Sequence, residues 1–285
     1  MKTIEQNNMK IAILGCGSMG EAILSGLLSS EPGHPTVIAT TRTEARAAQL
    51  RATLGIVAKS TAENPAANIE AVHDATIVVL GTKPYGIASL AREIAPSLCP
   101  TTVVVTVAAA TSLQYLQQQL PHRQPTVRAM PNTPLRVGRG IVGITGGKYA
   151  TAKHVRQASM IFEASGVVIE IPESLQDAVS AISGSGPAYV FYLAEAMADA
   201  ARSLGIDPET AAVLARHTVI GAGSLLEQSE SSPQDLRRAV SSPNGTTERA
   251  IATFEQHDFS GIISKGAAAA TVRASEMAQE IHSQE

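Results

Sequence analysis

The chain contains no tryptophan, and only four phenylalanines and five tyrosines in 285 residues. Stacked aromatic platforms of the kind that hold single-stranded nucleic acid are therefore lacking. A net charge of −3 also gives no cationic field to gather a polyanion or an anionic membrane, so nucleic acid is not expected as a partner. Two cysteines, Cys16 and Cys99, are too few for a disulfide framework and fit a reducing cytoplasm. No uncharged apolar run reaches the ~18–20 residues of a membrane helix. The polar start MKTIEQNNMK has no signal-peptide core, and its first eight residues read as a frayed extension. Metal-ligand spacing is missing too: His34, His73, His122, His154, His217, His257 and His282 are scattered, and no metal is expected.

What the chain does have is 44% hydrophobic and 16% charged residues, the balance of a globular protein, at a length that allows one large core or two domains. Its organising stretch is KIAILGCGSMGEAILSGLLSS, residues 10–30. The first five residues read as a buried strand. From Ser18 onward, Met19, Ile23, Leu24, Leu27 and Leu28 recur at helical spacing. Between them, Gly15, Gly17 and Gly20 form a G-x-G-x-x-G. The first glycine permits the tight turn, the second lets the backbone approach a pyrophosphate, and the third lets helix and strand pack closely. The N–H groups and dipole at the helix start favour phosphate. This predicts a dinucleotide site, with Cys16 as a small filler in the turn and not a nucleophile.

After a breaker-rich loop (residues 31–35), TVIAT (36–40) reads as the second strand. An acidic residue usually ends this strand to hold the ribose of NAD; here Thr41, Arg42 and Thr43 stand instead. Arg42 suits a 2′-phosphate, so NADP(H) is expected ahead of NAD(H). Thr41 and Glu44 also match a capping box that would start the next helix. A third strand is expected over 55–58, a turn over 61–65 and a short helix to about 72. The apolar runs ATIVVLG (75–81) and TTVVVTVA (101–108) read as parallel strands covered on both faces. Further strands fall at 126–129, 139–145 and 166–171, with helices between. This alternation defines an α/β parallel sheet of Rossmann type.

Beyond about residue 172 the chain is almost entirely helical, with segments at 187–204, 208–227, 233–241 and 261–282. The expected domains are therefore 1–171, which binds dinucleotide, and 172–285, an all-α part. Alanine-rich helices with little aromatic filling suggest that this second part completes its core across a dimer.

No His, Lys or Tyr–Lys arrangement suited to ketone reduction stands out. Ser183-Gly-Ser-Gly-Pro187 matches the glycine-rich lead-in of the hydroxyacid dehydrogenases. Their catalytic lysine is missing, since no lysine lies between Lys153 and Lys265.

From residue 10 to 277 the chain instead resembles the Δ1-pyrroline-5-carboxylate reductases. The likeness rests on the ordered series GCGSMG (15–20), TKP (82–84), VAA (107–109), VRAMPNTP (127–134), SGSGPAYVF (183–191) and SSPNGTT (241–247). The resemblance implies NAD(P)H-dependent reduction of a cyclic imine to L-proline, the last step of proline biosynthesis. It implies that cofactor is held by Gly15, Cys16, Gly17, Ser18, Met19, Gly20, Thr41, Arg42, Thr43, Asn64, Gly81, Thr82 and Lys83, with Val107, Ala108 and Ala109 flanking the nicotinamide. Ser242, Gly245 and Thr246 would take the substrate carboxylate, and Thr247 the ring nitrogen. A homodimer through the helical part is implied, with a ring of dimers as the larger assembly. An imine protonated from solvent needs no strong acid–base residue, which agrees with the lack of one. Two positions depart from the family pattern: Asn244 replaces a usual glycine and Arg238 a usual aspartate. Asn is the non-glycine residue best suited to positive φ. The alternatives are a reductase of another cyclic imino acid and a non-catalytic NADP-binding scaffold.

Overall fold

Strand β1 (Lys10–Leu14) is central because its side chains are apolar on both sides. Ile11 and Ile13 enter one core layer, and Ala12 and Leu14 the other. A computed structural model describes residues 9–29 and 35–283; the expected extension at 1–8 and most of the breaker loop at 31–35, with His34, lie outside the described residues. The sheet has eight strands in the order β3-β2-β1-β4-β5-β6-β7-β8. The others are β2 (Thr36–Thr41), β3 (Val57–Ser60), β4 (Ile77–Leu80), β5 (Val103–Thr106), β6 (Thr126–Pro131), β7 (Gly140–Gly146) and β8 (Gly166–Glu170). The apolar runs at β4 and β5 alternate in the same way as β1, feeding Ile77, Val79, Val103 and Val105 to one layer and Val78, Leu80 and Val104 to the other. Helices α1 (Ser18–Ser29), α2 (Glu44–Leu54) and α6 (Ala152–Met160) cover the first face through Ile23, Leu24, Leu27, Leu50, Val155 and Ala158. Helices α3 (Ala67–Val72), α4 (Ile87–Ile94) and α5 (Leu113–Gln118) cover the second through Val72, Ile87, Leu90, Ile94 and Leu116.

Three expectations are corrected. The third strand lies two residues later than read, because Gly55 takes a left-handed φ of 65° and closes α2 with its N–H on the Arg51 carbonyl. The Thr41–Glu44 capping box does not form. Thr41 is the last residue of β2, its hydroxyl donates to the Thr43 carbonyl at 2.9 Å, and Thr43 is the N-cap without a side-chain cap bond. The sheet is also not wholly parallel, since β6 and β7 pair antiparallel. The link between them, residues 132–139, is mostly a 3-10 turn (Thr133–Val137) and is too short for a crossover, which takes about a dozen residues or more.

The chain divides into two compact units. One holds the sheet, runs to Gly184 and resumes at Ala270; the other is Ser185–Ala269. A four-residue helix α7 (Gln176–Val179) and a π-helical turn (Ser180–Gly184) end the first stretch of the sheet unit. The second unit comprises α8 (Gly186–Ser203), α9 (Pro208–Gln228), α10 (Pro233–Ala239), α11 (Thr246–Gln256) and the start of α12 (Phe259–Ser283). Proline at the first turn of α8, α9 and α10 sets their start. Asp207 and Ser232 cap α9 and α10 by accepting from the Thr210 and Asp235 N–H groups. Within α8–α11 only Ala211 and Ala215 are buried.

Candidate functional site

In the sheet unit, Gly15–Gly20, Gly81–Lys83 and Val107–Ala109 follow β1, β4 and β5, and Thr41–Thr43 start at the last residue of β2, so all four groups lie at strand carboxyl ends. The strand order reverses between β1 and β4, the switch point at which open α/β sheets bind ligands. Gly15 has φ 70°, and a Cβ there would stand 2.4 Å from the Thr82 methyl. Only glycine brings these two turns so close. A Cβ on Gly20 would lie 2.9 Å from the Cys16 sulfur and 3.2 Å from Ile13, which is the helix–strand contact the third glycine permits. Gly17, by contrast, has nothing within 4 Å of a Cβ position, leaving its backbone open to approach. Gly81 lies against the Leu14 and Gly15 carbonyls, each 3.2 Å from its Cβ position.

Cys16 is buried, and burial pushes its thiol up to about 12, with a smaller downward pull from the Arg46 charge and a smaller upward push from the Glu21 charge. The inert, space-filling role fits that environment. Ser18 opens α1 and is exposed, while Met19 packs against the core. Arg42 and Lys83 are exposed. Ala108 is buried, with its N–H on the Thr106 hydroxyl, and Ala110 just beyond turns the chain at φ 59°. Asn64 closes the turn before α3, accepting from the Ala66 N–H and donating to Glu70. The Thr82 hydroxyl oxygen is buried without a partner beside the glycine turn. With the opening at Gly17 and the start of α1, this orphaned hydroxyl fits a bound dinucleotide.

Two elements of this site were not read from the sequence. Arg46, on α2, donates to the Cys16 and Gly17 carbonyls at 3.4 and 3.3 Å and pairs with Glu21 at 2.8 Å, clasping the turn. Thr40 and Asn68 are buried behind it, hydrogen-bonded to each other. Such pairings join residues remote in sequence, and no local pattern marks them.

Two of the resemblance motifs meet within this unit. Period-two alternation sets Arg128 and Met130 on one side of β6, and Asn132 comes just after the strand's last residue. Arg128, almost fully buried, pairs with Asp177 at 2.9 Å. The Met130 methyl lies 2.8 Å from the Cβ position of Gly184, and Asn132 donates to the Ser183 carbonyl at 3.1 Å.

In the helical unit, the loop between α10 and α11 carries Ser242 and Gly245 and leads into Thr246 and Thr247. Thr246 and Thr247 are the first two residues of α11, and Gly245 is its N-cap. The Gly245 N–H donates to the Ser242 carbonyl at 2.9 Å, and a Cβ at this glycine would crowd that same oxygen. Asn244 adopts φ 60°, the conformation for which its usual counterpart is glycine, and its N–H donates to the Glu248 carboxylate at 2.7 Å. Glu248 was not anticipated, although its place in the first turn of α11 is a capping position. Thr247 is half-buried; Ser242 and Thr246 are exposed. Arg238 points to a neighbour of its own helix, Asp235, at 3.5 Å. Among the described residues no cluster of three or more His, Cys, Asp or Glu could hold a metal, and no helix is long and apolar enough to cross a membrane.

A Rossmann-type sheet with a glycine turn at its switch point, joined to a helical unit with an anion-capable loop, defines a dinucleotide-dependent oxidoreductase. Comparison with known proteins narrows this. Residues 173–277 match the family model described as pyrroline-5-carboxylate reductase dimerisation, and residues 10–110 match that described as NADP oxidoreductase, coenzyme F420-dependent. Pyrroline-5-carboxylate reductase of Pseudomonas aeruginosa is 37% identical over 274 residues, covering 95% of this chain and 98% of that protein. The solved pyrroline-5-carboxylate reductase of Coxiella burnetii superposes with a TM-score of 0.86 at 31% identity, covering 95% of this chain and 98% of that one. The Plasmodium falciparum enzyme, solved with NADP bound, shares the fold with a TM-score of 0.81 at 24% identity, covering 96% of this chain and 99% of that one. The chain belongs to the pyrroline-5-carboxylate reductase family.

Proposed function

We propose that this chain reduces 1-pyrroline-5-carboxylate to L-proline, the last step of proline biosynthesis, with NADPH preferred over NADH. The observation that carries this is the SSPNGTT loop opening α11 in a chain that matches reductases of this family along nearly its whole length. The nicotinamide, when bound, supplies the hydride. Gly15–Gly20, Thr82 and Lys83 hold the cofactor's phosphates, Thr41–Thr43 and Asn64 its adenosine end, and Val107–Ala109 flank the ring. Ser242 and the N–H groups opening α11 hold the substrate carboxylate, because a helix start favours an anion. Gly245 shapes that loop by lacking a Cβ. Thr247 donates or accepts at the ring nitrogen and orients it, while the basic imine takes its proton from solvent.

The preference for NADPH rests on Arg42 and on the absence of a carboxylate at the end of β2. Thr43 also caps no backbone group with its side chain. Arg42→Ala is expected to weaken NADPH by about 1.5–3 kcal/mol, the value of a hydrogen bond to a charged group, and to leave NADH nearly unchanged. Equal losses for both would remove the 2′-phosphate assignment. We further propose a cytoplasmic homodimer assembled through residues 172–285, with a ring of dimers as the complete assembly. The match to a dimerisation model and the exposed apolar side chains of α8 and α9 support the dimer.

The testing experiment is NADPH oxidation with pyrroline-5-carboxylate, run beside the six-membered cyclic imine and a set of 2-oxo acids. Fastest turnover on the five-membered ring is expected. Fastest turnover on the six-membered ring would reassign the substrate, and binding of NADPH without any turnover would leave only a cofactor-binding scaffold.

A further inference from the structure

We infer that a hydrogen-bond relay running from Gly15 through Thr40 and Asn68 to Glu93 sets the glycine turn in the shape that receives the dinucleotide, which makes Thr40 and Glu93 positioning residues for cofactor binding. The inference rests on the proposed use of this turn for a cofactor.

Thr40 holds two successive N–H groups of the turn. Its carbonyl accepts from Cys16 at 2.7 Å and its hydroxyl oxygen from Gly15 at 3.3 Å. With one lone pair occupied by Gly15, the hydroxyl sends its own proton to Asn68 Oδ1 at 2.6 Å. The other end of the Asn68 amide donates to both Glu93 oxygens, at 3.1 and 3.2 Å. Every bond therefore has a fixed direction. Turning the amide over would set its oxygen against a carboxylate, with no proton between them to share. Thr40 and Asn68 are 1% and 7% exposed, so water does not substitute for a missing partner. Glu93 lies at the outer end as an anion, and it polarises each bond of the chain toward itself.

The relay joins four elements, the ends of β1 and β2 with α3 and α4. It draws the Gly15 and Cys16 N–H groups inward and holds Gly15 at its left-handed φ of 70° before any ligand arrives. A turn fixed in advance binds more tightly than one that must be ordered during binding. None of the three side chains needs to touch the cofactor for this to hold.

The test uses the full-length protein and direct titration with NADPH and with NADH. Thr40→Val keeps the side-chain shape and removes the hydroxyl, leaving the Gly15 N–H and Asn68 Oδ1 unpaired. The dissociation constants of both cofactors are expected to rise by the same factor, about five- to a hundredfold, with kcat at saturating cofactor falling far less. Thr40→Ser restores the hydroxyl and is expected to recover most of the affinity. Glu93→Ala, at an exposed site that folding tolerates, is expected to shift both constants in the same direction by a smaller factor. If Thr40→Val melts like the parent and binds both cofactors unchanged, or if Thr40→Ser binds as weakly as Thr40→Val, the relay has no such role. If Thr40→Val does not fold, Glu93→Ala decides, and unchanged binding there overturns the inference. A parent protein that binds neither dinucleotide would overturn the functional reading itself, and this inference with it.

Discussion

The sheet unit and the helical unit are built from similarly apolar sequence and end in opposite states. In the first, Ile11, Ile13, Ile77 and Val103 are fully buried because helices on both faces complete the core within one chain. In the second, α8 and α9 pack mainly on each other and leave Phe191 at 68%, Leu225 at 62% and Ile220 at 56% exposure. Exposed apolar side chains in such number are the mark of a surface that another surface covers. For the sheet, folding closes the core; for the helices, assembly must. The glycine turn belongs to the self-sufficient unit, and the loop proposed to take the substrate belongs to the unit proposed to need a partner.

The sharpest way to break that contrast is Leu225→Glu. A leucine buried in an interface contributes roughly 1.5–3 kcal/mol, and a twofold dimer contains it twice. With the added carboxylate, the dissociation constant of the dimer is expected to rise more than about a hundredfold. Light scattering at micromolar protein should then show a monomer with little reductase activity, while NADPH binding by the sheet unit persists. An active, undissociated Leu225→Glu protein would place the assembly surface elsewhere.

A second test separates the two units by chemistry. Thr247→Val keeps the shape of the first turn of α11 and removes one hydroxyl. A neutral hydrogen bond contributes about 0.5–1.5 kcal/mol, and an unsatisfied buried partner costs about 1–3 more. A fall in kcat/KM on the order of ten- to several-hundredfold is expected, with cofactor affinity unchanged. Ser242→Ala should act mainly on KM, because the carboxylate is held alike in the ground and transition states. Full activity in a folded Thr247→Val protein would remove that residue from the mechanism.

Legibility from sequence followed the range of the interactions. β1, the glycine turn and the paired-face strands β4 and β5 were readable because their signals sit within a few residues: alternation of buried side chains and a glycine where φ is positive. The loop at Ser241–Thr247 was readable by resemblance, and the left-handed φ of Asn244 agrees with what Asn tolerates. β3 was misplaced because Gly55, read as the strand's first residue, serves instead as the stop of α2. T-x-x-E at Thr41–Glu44 matched a capping pattern, but strand pairing to Lys59 and Ser60 extends β2 through Thr41 and prevents it. The reversed direction of β7 was invisible in its apolar pattern, which is the same for either pairing. Arg46 and the relay behind Gly15 depend on contacts between residues 25 or more positions apart, which only the folded sheet brings together.

The mildest test compares one glycine in each unit. Gly26 lies inside α1, where a Cβ would stand 1.5 Å from the Ser165 hydroxyl oxygen and 2.9 Å from its Cβ. Rotating the hydroxyl relieves the first contact and not the second, and Ser165 is 1% exposed. Gly26→Ala should therefore cost about 1–3 kcal/mol of stability, as overpacking does, despite a better helix propensity. Gly221 lies inside α9 with nothing within 4 Å of its Cβ position in the single chain. There Gly221→Ala should gain about 0.5–1 kcal/mol from propensity alone. Denaturant midpoints at unchanged slope read both differences. A neutral Gly26→Ala would show that the sheet unit is less tightly closed than its contacts imply. A destabilising Gly221→Ala, with the loss growing as protein concentration rises, would set a second copy against that stretch of α9.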